Sequence, residues 1–176
     1  MVRAARRIGL TIALLSVPAL TFAGSGQRGA MVDAVFADDL SGSVQIHYRD
    51  GPTVAAPRGK GQKSLSRPAL AEDRQTIGWL GNYDNCCQSY PIPRQLVIWK
   101  SGRIIRKIDA DAMIWNWRFY QGSKEVGFSD GPTHGIDVPY SYRLLDIATG
   151  RLISEIAGHQ ENFPDWVRLL LPDTGK

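Results

Sequence analysis

Two stretches of the sequence concentrate side chains that can bind a ligand or take part in a reaction. The first, residues 82–93, contains Asp84, the adjacent pair Cys86 and Cys87, and Tyr90. We interpret the two cysteines as a vicinal disulfide, because neighbouring cysteines that pair with each other close a small, strained ring that stiffens a loop. Two free thiols, or a redox or metal-binding pair, are the alternatives, although redox catalysts use a Cys-x-x-Cys spacing that this sequence lacks.

The second stretch, residues 130–139, contains Asp130, His134 and Asp137 in a run with two glycines and two prolines. Thiolate, imidazole and carboxylate groups are zinc ligands, so the two stretches would offer a zinc site if they met. The glycines and prolines favour a shaped turn in which His134 bonds to backbone. We therefore predict a binding rim built from both loops, with no metal, no cofactor and no catalytic residue assigned.

An internal repeat predicts that the two loops leave the fold at one end. Residues 76–81 align with residues 125–130 at an offset of 49, and residues 96–108 align with residues 144–156 at an offset of 48. Each unit has four short runs rich in β-branched and aromatic residues, separated by turn residues. Both loops join the second and third runs of their units, and an antiparallel meander places such loops together.

These patterns predict an all-β fold with two four-stranded antiparallel meanders, about residues 66–108 and 113–156. Residues 43–55 alternate apolar and polar side chains around a tight turn, which predicts an N-terminal hairpin. Residues 56–67 have the composition of a polar connection. A short C-terminal helix is predicted from apolar residues at helical spacing, namely Phe163, Trp166, Val167 and Leu170.

Two segments carry a family resemblance. Residues 67–79 (RPALAEDRQTIGW) and 117–129 (WRFYQGSKEVGFS) resemble the WD40-like repeat of TolB-type periplasmic β-propellers. The resemblance implies propeller-blade-like units and almost nothing about activity. Residues 85–93 (NCCQSYPIP) are similar to a segment of small exported bacterial proteins of unassigned function. Propellers close with about four to eight blades, so two units and a hairpin favour a stacked, monomeric sandwich, with an edge-to-edge dimer as the alternative.

The N-terminus has the layout of a secretory signal peptide. Three arginines precede an apolar run of 15 residues that contains Pro18, and small residues lead up to Ala23. The run is shorter than the roughly 20 residues that cross a bilayer. We predict cleavage near Ala23 and a periplasmic or secreted mature protein without a membrane span. The predicted organisation is a signal peptide (1–23), a flexible leader (24–42), one β-repeat domain (43–170) and a tail (171–176).

The formal charge of +4 does not indicate a nucleic-acid partner. Three of the 21 basic residues and none of the acidic ones fall in residues 1–23, so 18 basic and 17 acidic residues follow. The remaining basic cluster has no aromatic residue for base stacking; it consists of Arg58, Lys60, Lys63 and Arg67.

We therefore favour a non-enzymatic module that binds a protein, peptide or glycan through loops 82–93 and 130–139. The alternative is a small hydrolase or metal-dependent enzyme that uses His134 with nearby carboxylates. No Gly-x-Ser-x-Gly nucleophile motif is present in the sequence to support a serine hydrolase.

Overall fold

The protein is all-β apart from one short helix in a computed structural model, which describes residues 30–86, 89–133, 140–158 and 160–171. The elements in chain order are β1 (Val32–Asp38), β2 (Ser43–Tyr48), β3 (Thr53–Ala55), β4 (Gln62–Leu70), β5 (Thr76–Tyr83), β6 (Ile92–Lys100), β7 (Arg103–Asp109), β8 (Met113–Tyr120), β9 (Glu125–Gly131), β10 (Ser141–Asp146), β11 (Leu152–Ala157) and α1 (Asp165–Arg168).

The strands form three antiparallel sheets in which strands that follow each other along the chain pair. Sheet 1 has the order β1-β2-β3, sheet 2 the order β4-β5-β6-β7, and sheet 3 the order β8-β9-β10-β11. The predicted all-β class is confirmed, and so are two four-stranded antiparallel sheets. The predicted signal peptide, residues 1–23, lies outside the described residues, as do residues 172–176 of the predicted tail.

The N-terminal part differs from the prediction. Residues 32–38 fall in the predicted flexible leader (24–42) but form β1 and pair with β2. The predicted hairpin is therefore part of a three-stranded sheet. Val32 and Val35 pack in the core between sheets 1 and 2, which stabilises the strand. A bulge between Val32 and Ala34 breaks the period-two alternation that would have revealed it.

The extent of β4 also differs, because residues 62–67 belong to a strand and not to a polar connection. The register shifts between Ser66 and Ala69, so Arg67 and Pro68 have no partner in β5. The φ of Arg67 is 47°. Proline is tolerated there because β4 is an edge strand. The C-terminal helix is shorter than predicted, with four residues.

The three sheets and the helix stack face to face, with sheet 2 in the middle. The layer between sheets 1 and 2 consists of Val32, Val44, Ile46, Tyr48, Ala56, Leu65, Ile77, Trp79 and Val97. The layer between sheets 2 and 3 consists of Leu80, Leu96, Ile98, Ile108, Ala110, Ile114, Trp117, Val126, Phe128 and Ile147. The helical segment covers the outer face of sheet 3 through a cluster of Tyr142, Leu144, Trp166, Val167 and Leu170.

The same glycine–tryptophan contact occurs twice along this stack. In sheet 2, a Cβ added to Gly78 would lie 2.4 Å from Cη2 of Trp117, a residue of sheet 3. In sheet 3, a Cβ added to Gly127 would lie 3.4 Å from Cε3 of Trp166, a residue of α1. Both the glycines and the tryptophans are 49 residues apart. The helix therefore places an indole over Gly127 of sheet 3, as sheet 3 places one over Gly78 of sheet 2.

The bulges of sheets 2 and 3 follow a similar spacing. Ile105 is the unpaired residue where β6 and β7 shift register, and Ile153 is the unpaired residue where β10 and β11 do so. These positions are 48 residues apart. A bulge at the same point of an edge strand bends both sheets alike, which keeps their faces matched for stacking.

The turn between β4 and β5 is held by one carboxylate. Asp73 accepts hydrogen bonds from the backbone N–H groups of Gln75 (3.0 Å) and Thr76 (2.8 Å), from Oγ1 of Thr76 (2.7 Å) and from Nζ of Lys100 (2.9 Å). Partial burial opposes its ionisation, but these hydrogen bonds outweigh burial and lower the pKa of Asp73 to about 2.

We expect Asp73→Asn to lower the free energy of unfolding by about 1–2 kcal/mol at neutral pH, after allowance for the exposed part of the side chain. A folded-state pKa below the unfolded value stabilises the protein above pH 4 or so and loses that effect as the pH falls toward 2. Urea unfolding at pH 7 and pH 3 measures both stabilities. The difference in free energy of unfolding between Asp73→Asn and the parent should be smaller at pH 3 than at pH 7. The control variant Asp39→Asn, at an exposed position, should leave the free energy of unfolding unchanged at both pH values.

Candidate functional site

The strand ends that carry the two predicted loops lie at one end of the stack, which we call the loop end. Nη2 of Arg94, near the start of β6, donates to the carbonyl oxygen of Asp111 at 3.4 Å. The carboxylate of Asp111 lies 3.8 Å from Nη2 of Arg143, near the start of β10. The segment that links sheets 2 and 3 thus joins the two strands that follow the loops.

Arg143 is the centre of a charged group at the loop end, which we call the Arg143 carboxylate set. Its guanidinium contacts Oδ2 of Asp130 at 3.0 Å, Oε1 of Glu155 at 2.8 Å and Oδ2 of Asp111 at 3.8 Å. The Asp130 side chain is 4% exposed, whereas that of Glu155 is 45% and that of Asp111 is 97% exposed. The set therefore has a buried inner carboxylate and two outer carboxylates that solvent reaches.

The inner carboxylate is incompletely satisfied. Burial raises the pKa of Asp130; the carboxylates of Asp111 and Glu155 act in the same direction, and Arg143 acts against them. Oδ1 of Asp130 is buried and has no hydrogen-bond partner within the described part of the chain. One guanidinium is thus shared by three carboxylates, and the hydrogen bond from Arg143 lowers the pKa of Glu155.

A cleft of about 430 Å³ opens at the same end. Its lining consists of Tyr83, Asp84, Arg94, Asp109 and Ala110. Asp84 pairs with Lys63 at 2.8 Å on the surface. The cleft therefore offers an aromatic ring, two carboxylates and a guanidinium, the kind of polar groups that orient a ligand.

A chain of buried amides fixes one wall of the cleft. Nε2 of Gln62 donates to Oε1 of Gln95 at 3.0 Å, and Nε2 of Gln95 donates to Oδ1 of Asp109 at 2.7 Å. Gln62 crosses β5 above Gly81, where a Cβ would lie 2.2 Å from its amide nitrogen. Because Gln62 and Gln95 are buried, their hydrogen bonds hold Asp109 in a defined position.

The residues of the predicted rim are only partly placed. Asp84 lies in the cleft and Asp130 in the Arg143 carboxylate set, so both belong to the loop end. Tyr90 is 56% exposed. Cys86 is exposed, and its sulfur lies 3.8 Å from Oδ1 of Asn85. Three residues of the predicted rim lie outside the described part of the chain, namely Cys87, His134 and Asp137.

The vicinal disulfide and the role of His134 stay predictions for that reason. Within the described ranges, no group of three or more histidine, cysteine, aspartate or glutamate side chains could hold a metal ion. The carboxylates around Arg143 do not form such a group, since the guanidinium lies among them.

Two arginines of the basic cluster, Arg58 and Arg67, make contacts within the chain. Arg58 donates to the carbonyl oxygens of Ser41 and Gly42 at 3.2 and 2.9 Å, and Arg67 donates to the carbonyl oxygen of Trp115. These guanidinium groups tie β4 and its preceding turn to neighbouring segments.

Sequence reasoning missed the arginines of the site and three of its acids, Asp109, Asp111 and Glu155. Arg94, Arg143 and Glu155 each interrupt an apolar strand close to the loop end, and Asp109 ends β7. A charge inside an apolar strand was the available signal. Only the stacking of sheets 2 and 3 shows that these charges face one region.

No protein-family model matches the chain, and no curated protein matches its sequence. Among the residues that the structure describes, no helix is long and apolar enough to span a membrane. The loop end itself is therefore the basis for assigning a function.

Proposed function

We propose that the protein is an exported module of propeller-blade-like sheets that binds a peptide segment of a partner protein at its loop end, without catalysing a reaction. The observation that carries the proposal is the cleft beside the Arg143 carboxylate set. The cleft has an open shape, an exposed guanidinium on Arg94 and two carboxylates, and the neighbouring set adds carboxylates of graded burial. Such a surface suits the alternating backbone amides and side chains of an extended peptide.

The blade-like character rests on the two regular spacings along the stack. The glycine–tryptophan contacts are 49 residues apart and the edge-strand bulges 48 residues apart, close to the offsets of the sequence repeat. Stacked sheets of this kind present their connecting loops at the ends of the stack, where binding residues concentrate. We propose a monomer, which is supported by the cover that α1 gives to the outer face of sheet 3.

The enzymatic alternative has no supporting contact in the described residues. The enzymatic alternative uses His134 with nearby carboxylates, of which Asp130 is described. Asp130 is buried and pairs with Arg143. An acid placed in this way is a poor general base for a substrate in the cleft, since a candidate base must be able to reach the proton it takes.

The test measures binding of protein that has been exported from a bacterial host, with its N-terminus read by intact mass. Arrays of mixed octapeptides and of oligosaccharides serve as probes. We expect peptides to bind, and Arg94→Ala to weaken that binding by about tenfold, because the exposed Arg94 guanidinium in the cleft would donate hydrogen bonds to the backbone carbonyl oxygens of a bound peptide, whatever the charge of its side chains. The matched control is Arg118→Ala, at a second cavity lined by residues of the β8–β9 turn.

Equal losses in both variants would contradict binding at the loop end, and capture of oligosaccharides alone would replace the peptide by a glycan. If neither array is bound, the proposal fails. Thermal unfolding of both variants shows whether a loss of binding follows a loss of folding.

A further inference from the structure

The described residues of the loop end carry an excess of negative charge. Five carboxylates lie there, on Asp84, Asp109, Asp111, Asp130 and Glu155. Three cations accompany them, on Lys63, Arg94 and Arg143. Because these groups lie at one end of the stack, their potentials add there and attract positive charge.

The arrangement inside the Arg143 carboxylate set adds a second, independent observation. Asp130 is buried and its Oδ1 accepts no hydrogen bond within the described ranges, although its Oδ2 binds Arg143. A buried carboxylate in this state is costly. Positive charge placed between the outer carboxylates of Asp111 and Glu155 would offset that cost from the solvent side.

We infer that the ligand presents an organic cation to the Arg143 carboxylate set, namely the ammonium or guanidinium group of a lysine or arginine side chain. The inference rests on the proposed peptide binding and specifies the chemistry of the peptide. Asp111 and Glu155 contact the cation directly, since both are exposed. Asp130 strengthens the field from beneath, and Arg143 holds the three carboxylates in place.

The cation is organic because the set is unsuited to a metal ion. The described residues contain no cluster able to ligate one, and Arg143 lies among the three carboxylates. A guanidinium or ammonium group bonds to separate carboxylates over a wider span than a metal ion does. The aromatic ring of Tyr83 in the adjoining cleft provides a further surface for a cationic side chain.

The experiment compares three Gly/Ser octapeptides that carry two lysines, two norleucines or two glutamates, with free spermidine as a fourth probe. Chemical shifts of backbone amides in the isotope-labelled chain report both affinity and position. We expect the lysine peptide to bind more tightly than the norleucine peptide by at least about fivefold, to shift amides around Arg143, and to weaken as salt is raised.

Asp111→Asn is the informative variant, because this side chain is almost fully exposed and its loss should leave folding intact. We expect it to reduce binding of the lysine peptide by about fivefold and to leave the norleucine peptide unchanged. The matched control, Asp39→Asn, removes an exposed acid of the β1–β2 turn and should not change either affinity.

The outcomes separate the two proposals. If the norleucine or glutamate peptide binds the cleft as tightly as the lysine peptide, the cation inference is overturned and peptide binding stands. If spermidine binds more tightly than any peptide, the site binds an organic cation as inferred, but the proposal that a peptide carries this cation is overturned. If no peptide shifts an amide of the loop end, both proposals fail.

Discussion

Replacing Gly78 with alanine is expected to destabilise the fold by about 2–3 kcal/mol, as overpacking of a dense core does. The added Cβ would lie 2.4 Å from Cη2 and 2.8 Å from Cζ3 of Trp117, and 3.2 Å from Cδ1 of Ile98. The indole cannot move aside freely, because its Nε1 donates to the carbonyl oxygen of Arg67 at 3.0 Å. Urea unfolding followed by tryptophan fluorescence measures the loss.

Gly127→Ala is the matched control for this prediction. Gly127 occupies the corresponding position of sheet 3, but its added Cβ would lie 3.4 Å from Trp166 and 3.5 Å from Leu170, which is ordinary packing distance. We expect a change below about 1 kcal/mol. Similar losses in the two variants would show that backbone conformation, and not contact with the indole, explains the need for glycine. The double variant Gly78→Ala/Trp117→Phe should recover part of the stability.

The second large effect is expected for Arg143→Met, which keeps the length of the side chain and removes its charge. The buried carboxylate of Asp130 then loses the guanidinium that pairs with it, and the loss should be about 3 kcal/mol at neutral pH. Much of this figure is the cost of leaving a buried charge unpaired, so it depends on whether Asp130 is ionised.

The pH dependence follows from the pKa of Asp130, which burial raises even in the parent protein. The folded state then binds a proton at a pH where the unfolded chain does not, so this residue's contribution to stability falls as the pH rises above about 4. Removing Arg143 raises that pKa further and extends the fall to higher pH. Urea unfolding at pH 7 and pH 4.5 should therefore show a larger loss at pH 7.

Two further variants test this explanation. Arg143→Met combined with Asp130→Asn removes the buried charge together with its partner and should recover much of the loss at pH 7. Arg94→Met removes an exposed guanidinium without a buried acid partner and should have little effect at either pH. A loss for Arg143→Met that is equal at the two pH values would indicate lost packing and would contradict the electrostatic account.

Local pattern was sufficient for most of sheets 2 and 3. The strands β5 to β11 are short runs with β-branched and aromatic residues between turn residues, and such runs indicate strands without knowledge of their partners. Sheet 1 and β4 were harder because bulges and a proline interrupt the alternation at Val32 and Pro68. There, tertiary pairing outweighs the local composition.

The candidate site was predictable only as a pair of loops. The repeat placed residues 82–93 and 130–139 at equivalent points of two units, and Asp84 and Asp130 do lie at the loop end. Arg94 and Arg143 could not be identified in this way, because a charged residue in a strand has the same sequence signature whether it faces solvent or another sheet. Their roles depend on the carboxylates around them.

By itself, the sequence determined the all-β class and the antiparallel meanders, because periodicity and turn chemistry are local properties of the chain. Only the tertiary structure decided that Asp111, Asp130 and Glu155 share one guanidinium and that Trp166 covers Gly127. The physical reason is that burial and charge pairing arise from sheet stacking, which brings together residues far apart in sequence.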